Sequence, residues 1–219
     1  MSNEIINVYC VPGMAANVSI FEFLKLPSNY KVHTIAWEIP YEKETLQEYA
    51  KRLSIQVKEP NSVLLGVSFG GIVVQEMSRF LEIRKLVIVS SVKSKFELPK
   101  RFEVVRLTRL NKIIPTSLVQ KVENWEQLLV TESIKKIGRL YDKYLTMKDP
   151  YYLDWSIENI LNWKQEEPIE NSIHIHGDND FVFPIKNIKG CEVLPKGTHA
   201  MIVNRARWFN ENLPRLIEN

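Results

Sequence analysis

The chain has 219 residues, 45% of them hydrophobic, 25% charged and 10% aromatic, a balance that excludes a disordered or fibrous chain and suffices for a sizeable core. Lysine and arginine total 29 against 26 acids, and a net charge of +3 is too small to make nucleic acid the expected partner. Two cysteines, Cys10 and Cys191, are too few for a disulfide framework or a cysteine-ligated zinc site. No apolar run approaches the roughly 18 residues of a membrane span, and the opening Met-Ser-Asn-Glu lacks a basic leader, so a reduced, cytoplasmic protein is expected.

Taken in chain order, Ile5 to Val11 reads as a strand ending at Pro12-Gly13, and Lys31 to Trp37 as an alternating strand that stops before Pro40. Leu46, Tyr49, Ala50, Leu53 and Val57 fall on one helical face, and Thr45 with Glu48 three residues on forms a capping-box signature. Val63 to Val67 is apolar at every non-glycine position, the pattern of a strand covered on both faces in a parallel sheet. Val73, Met77, Phe80 and Leu81 repeat with helical spacing, and Lys85 to Val89 is a second such strand.

Residues 92–168 break this rhythm with helical patterns and no convincing strand: a stripe through Ile134, Ile137, Tyr141 and Tyr144, then Asp149-Pro150 as an N-cap with proline at the first helical position. Strand patterns return at Ser172 to Gly177 and Cys191 to Leu194. A last helix is expected from about Val203 to Asn212, with Pro214 ending or kinking it. Alternating strands and helices imply an α/β core (1–91 and 169–219) interrupted by a helical insertion (92–168).

Gly66-Val67-Ser68-Phe69-Gly70 sits at a strand-to-helix junction. A nucleophile there needs a sharp turn, glycines two positions away let strand and helix approach, and helix onset aims free N–H groups at any oxyanion formed. Chance yields such a pentapeptide in roughly one chain of this size in fifty, so the flanking buried strand and helix are what give it weight.

A serine hydroxyl needs a base and an orienting acid. Of four histidines, His33 reads as half-buried strand surface, while His174 and His176 alternate along another strand. His199 lies in a loop between the final strand and the final helix, where open α/β sheets place their sites. The acid should follow the preceding strand, where Asp178 and Asp180 are both candidates. Asp180 lies far enough along the loop to turn back, and Asp178 suits a local turn.

These residues resemble the α/β-hydrolase superfamily, whose nucleophile elbow and Ser–acid–His chain order are matched by Ser68, Asp180 and His199. Gly177 to Pro184 is similar to the family's Gly-x-x-Asp-x-x-x-Pro acid loop, which selects Asp180, and Gly197-Thr198-His199 resembles its Gly-x-His loop. Val11-Pro12-Gly13-Met14 occupies the place of the family's oxyanion loop, with Pro12 where histidine is common. By resemblance, the amides of Met14 and Phe69 form the oxyanion hole. The fold implied is α/β, a mostly parallel six-stranded sheet flanked by helices, trimmed at its N-terminus and carrying an all-helical lid. The activity implied is hydrolysis of a carboxylic ester or related acyl bond of a small-molecule substrate, without metal or cofactor. Serine at the elbow, in place of aspartate, speaks against epoxide hydrolase or dehalogenase chemistry. The same triad serves thioesterases, carbon–carbon hydrolases and lyases, and some relatives are ligand-binding or interaction proteins.

Other patterns carry less. His174-Ile175-His176-Gly177-Asp178 resembles the start of a metallo-β-lactamase-like metal motif, but Asn179 replaces its last histidine and four histidines are too few for a binuclear site. The basic stretch from Lys93 to Lys112 suits a solvated helix face more than an anion site. Among Trp125, Tyr141, Tyr144, Tyr151, Tyr152, Trp155 and Trp163, most are expected to pack the insertion on the core and one or two to face substrate.

Overall fold

The computed structural model describes residues 4–108 and 143–219. Residues 92–168 are therefore described only at their two ends, and the stripe through Ile134, Ile137 and Tyr141, like Trp125, lies outside the described residues.

Six strands form one sheet: β1 (Ile6–Val11), β2 (Tyr30–Thr34), β3 (Ser62–Val67), β4 (Ile83–Val89), β5 (Ser172–Gly177) and β6 (Glu192–Leu194). Their order is β2-β1-β3-β4-β5-β6, and every pairing is parallel. Helices α1 (Leu46–Ser54), α2 (Phe69–Met77), α3 (Lys100–Thr108), α4 (Pro150–Leu161), α5 (Met201–Asn204) and α6 (Ala206–Glu218) accompany it.

The continuous apolar strands follow from cover on both faces. Tyr9, Val11, Leu64, Leu86 and Ile88 join one core with side chains of α1, α2 and α4, among them Leu53, Ile72, Tyr152 and Trp155. The alternate residues Val8, Cys10, Val63, Leu65, Val67, Val87 and Val89 join a second core with Ile20, Met201, Phe209, Leu213 and Ile217. Successive strand side chains point to opposite faces, so each core is closed by its own layer of helices.

Local chemistry sets the helix starts as read from the sequence. Thr45 Oγ1 accepts from the Glu48 amide at 3.2 Å, and Glu48 Oε2 accepts from the Thr45 amide at 2.9 Å, a complete capping box. Asp149 caps α4 by accepting from the Tyr152 amide at 2.9 Å, with Pro150 at its first position. Two expectations need correction. The second strand ends at Thr34, three residues short of Trp37, whose ring turns into the core instead of continuing the sheet edge. The last helix starts at Ala206 and passes through Pro214 to Glu218. Proline removes one helical hydrogen bond, but Leu213 and Ile217 are buried on the same face and Tyr30 Oη donates to Glu218 at 2.8 Å, which holds the last turn in place.

Because all strands run the same way, their C-terminal ends share one edge. The chain leaves β1 toward β2 on one side, and leaves β3 toward β4 on the other. Such a switch point opens a crevice between the loops after β1 and β3. No helix of the described residues is long and apolar enough to cross a membrane.

Candidate active site

Ser68 stands at the switch point, between the end of β3 and the start of α2, with φ 54° and ψ −120°. This left-handed backbone is costly for serine and throws its hydroxyl above the sheet edge. The turn holds because its backbone is tied on both sides. Ser68 N donates to the Val89 carbonyl at 2.9 Å, and the Ser68 carbonyl accepts from Gly71 N at 2.9 Å and Ser91 Oγ at 2.6 Å. The flanking glycines answer a steric demand. A Cβ on Gly66 would lie 2.2 Å from the Gly70 carbonyl oxygen, and one on Gly70 would lie 2.2 Å from that of Pro12.

His199 follows β6, in the loop before α5. Its Nε2 lies 2.9 Å from Ser68 Oγ and its Nδ1 lies 2.9 Å from Asp180 Oδ2. An ionised carboxylate only accepts, so Nδ1 carries the proton and the lone pair of Nε2 faces the serine hydroxyl. His199 keeps 29% of its side chain exposed, whereas the Asp180 side chain is wholly buried. Asp180 Oδ1 accepts from the amides of Val182 at 2.8 Å and Phe183 at 3.0 Å. Burial alone would raise its pKa, but the bond and charge of His199, the Phe183 amide and His176 outweigh it and hold the carboxyl below its ordinary value.

The acid loop and the histidine loop are stitched together. Asn179 N donates to the Gly197 carbonyl at 2.9 Å, and Asp178, the other acid candidate, accepts from Lys196 N at 2.6 Å. Asp178 is exposed and bonded to Lys196, so it joins the two loops. From α3, Arg101 donates to the carbonyls of Phe181 at 2.7 Å and Val182 at 2.5 Å.

A buried histidine pair lies behind the acid. His176 Nε2 is 2.8 Å from the Phe183 carbonyl, which fixes the proton on that nitrogen, and 3.6 Å from Asp180 Oδ2. Its Nδ1 then accepts from His174 Nε2 at 3.3 Å. Burial keeps both rings neutral, and drives the His174 pKa down to about 3. No group of three or more metal-ligating side chains occurs among the described residues. His33 is half-buried, bonded to Asn7 at 2.9 Å and stacked on Tyr9.

The loop after β1 brings Gly13 beside the serine: a side chain there would start 3.4 Å from Ser68 Cβ. Among the described residues, the amides of Met14 and Phe69 donate to no protein acceptor, and Phe69 opens α2, where helical N–H groups are free. Trp37 was not singled out by the sequence pattern. Its indole N–H donates to the Gly13 carbonyl at 2.8 Å, and its ring stacks on Phe69. The only hint was a tryptophan closing an alternating run just before Glu-Ile-Pro. Of the other residues singled out, Lys93 is buried and bonded to the Gly190 carbonyl at 2.9 Å, and Lys95 pairs with Glu166. Tyr152, Trp155 and Trp163 are buried in the first core, and Tyr151 is exposed.

The sequence matches no protein-family model and no curated protein. Solved structures do match. An esterase from Exiguobacterium antarcticum superposes at a TM-score of 0.64 with 17% identity, covering 99% of this chain and 93% of that one. A bromoperoxidase from Bacillus anthracis gives 0.66 with 18% identity over 98% and 92%. An epoxide hydrolase from Bacillus megaterium gives 0.64 with 13% identity over 98% and 94%. The likeness runs along nearly the whole of each chain, and with its parallel sheet and sharp turn at Ser68 the chain has the fold of the α/β-hydrolase superfamily.

Proposed function

We propose that the protein is a serine hydrolase that cleaves a carboxylic ester or related acyl bond of a small molecule through an acyl-enzyme. The observation that carries this reading is the continuous line from Ser68 Oγ through the His199 ring to Asp180, with both gaps at 2.9 Å. Ser68 attacks the carbonyl carbon while its proton passes to His199 Nε2. Asp180 stabilises the imidazolium and keeps its Nδ1 proton in place. Charge developing on the carbonyl oxygen is met by the amides of Met14 and Phe69, the former from the loop after β1 and the latter at a helix start. The protonated imidazole then gives its proton to the leaving alcohol, and water, activated by the same nitrogen, attacks the acyl carbon and frees the acid. The esterase among the structural neighbours supports this reading, as does the hydroxyl nucleophile at the elbow.

The test is a series of p-nitrophenyl acyl esters of increasing chain length, run with wild type and Ser68→Ala, beside labelling by a fluorophosphonate. Wild type should hydrolyse members of the series and take the label. Ser68→Ala should lose the label and up to about 10⁶ in turnover. A wild type that neither hydrolyses nor labels would replace this reading with a ligand-binding role.

A further inference from the structure

Resting on the hydrolase reading above, we propose that Trp37 is a positioning residue for the oxyanion hole, acting through the peptide that joins Gly13 to Met14. The carbonyl and N–H of a trans peptide point in opposite directions, so whatever holds the Gly13 carbonyl also aims the Met14 amide. That carbonyl accepts two bonds: Ala16 N at 3.0 Å, within the loop's own turn, and the Trp37 indole at 2.8 Å, from the far side of β1. The turn bond alone would satisfy the buried oxygen. The indole bond does something further, because two donors in different directions fix the peptide plane where one leaves it free to swing.

The swing matters at this position. Gly13 has no side chain to resist rotation, and Pro12 before it has no N–H to tether the loop. Turning over the Gly13–Met14 peptide would withdraw the Met14 N–H and present a carbonyl oxygen to the developing oxyanion, converting attraction into repulsion. Trp37 is itself held firmly. It is buried, stacked on Phe69 with ring centroids 5.5 Å apart, and packed against Tyr152 at 5.7 Å. Because Phe69 also carries the second amide of the hole, one aromatic contact ties the two donors of the site together.

Trp37→Phe removes the indole N–H and keeps an aromatic ring, and it leaves no orphaned acceptor since Ala16 N remains on the Gly13 carbonyl. With an ester that wild type turns over, kcat should fall about 10- to 100-fold, short of the full loss of an oxyanion donor, while KM changes less than about threefold. A matched thionoester supplies the readout that packing damage would not move. Sulfur is a poor hydrogen-bond acceptor, so the variant should lose much less on that substrate, and the oxygen-to-sulfur ratio of kcat/KM should drop about tenfold. Replacing the indole by isosteric benzothiophene at position 37 must reproduce the effect, which keeps the test sound if phenylalanine disturbs the fold. Undiminished kcat on the oxygen ester, or equal loss on both substrates, overturns the role of Trp37 while the hydrolase reading stands. A wild type that cleaves neither substrate overturns both.

Discussion

At the scale of single residues, the Asp180 carboxylate is fixed by its neighbours so firmly that a one-atom change has a definite outcome. In Asp180→Asn, the amides of Val182 and Phe183 select the amide oxygen, leaving Nδ2 to face His199 Nδ1. An N–H there forces the imidazole proton onto Nε2, where it confronts the Ser68 hydroxyl and leaves no base. Turnover should fall about 10⁴-fold with KM little changed, and steady-state kinetics on any ester accepted by wild type would check it. A loss under tenfold would speak against this tautomer argument. That Ser68, Asp180 and His199 come together was legible through the glycine and proline spacings by which the chain resembles the α/β-hydrolases; the residues alone left Asp178 and Asp180 both open. Trp37 was not legible, because a bond to a carbonyl 24 residues away leaves no periodic mark. His176 reads from the sequence only as part of an alternating strand, since its place behind the carboxylate depends on how the loop from Gly177 to Pro184 folds back.

Among elements, α1 shows how far local chemistry reaches. Its start is set by the reciprocal Thr45–Glu48 bonds and its inner face by buried Leu46, Tyr49, Ala50 and Leu53. Thr45→Ala deletes the bond from the Glu48 amide and the hydroxyl's own bond to Glu48 Oε2 on the exposed side, and should cost about 1 kcal/mol in urea unfolding with hydrolysis unchanged. A change within error would mean that Glu48 alone suffices as a cap. The helix and the doubly covered strands were readable since propensity, capping and burial all agree there. Where they disagreed, reading failed. β2 is an edge strand, and nothing in its alternation shows that Trp37 leaves the sheet for the core. Pro214 opposes helix continuation locally, and burial of Leu213 and Ile217 against the second core overrides it.

For the molecule as a whole, pH acts through groups that burial has moved. His174 is driven to about 3, chiefly by burial and further by the Lys93 ammonium nearby. Between that value and the ordinary imidazole value near 6.5, the unfolded chain takes up a proton that the folded chain refuses. This contribution is complete above the ordinary value and declines by about 1.4 kcal/mol per pH unit as acid is added. The lowered Asp180 carboxyl works in the same direction at more acid pH, below the ordinary carboxylate value. His174→Gln keeps an N–H for His176 and removes the titrating ring, so its unfolding free energy from pH 6 to 4 should fall less steeply, by close to one proton. Parallel urea curves for the two proteins across that range would contradict this. A last consequence comes from the loop after β1. Ala15 accepts from Met147 N at 3.0 Å, Asn17 N donates to the Tyr144 carbonyl at 2.7 Å, and Ala16 bridges Leu145. The seam between residues 15–17 and 144–147 ties the far end of the segment between β4 and β5 to the loop after β1, so a replacement segment from another protein of this fold would have to keep residues 143–147 as its hem or unpick the loop on which the Met14 amide is mounted.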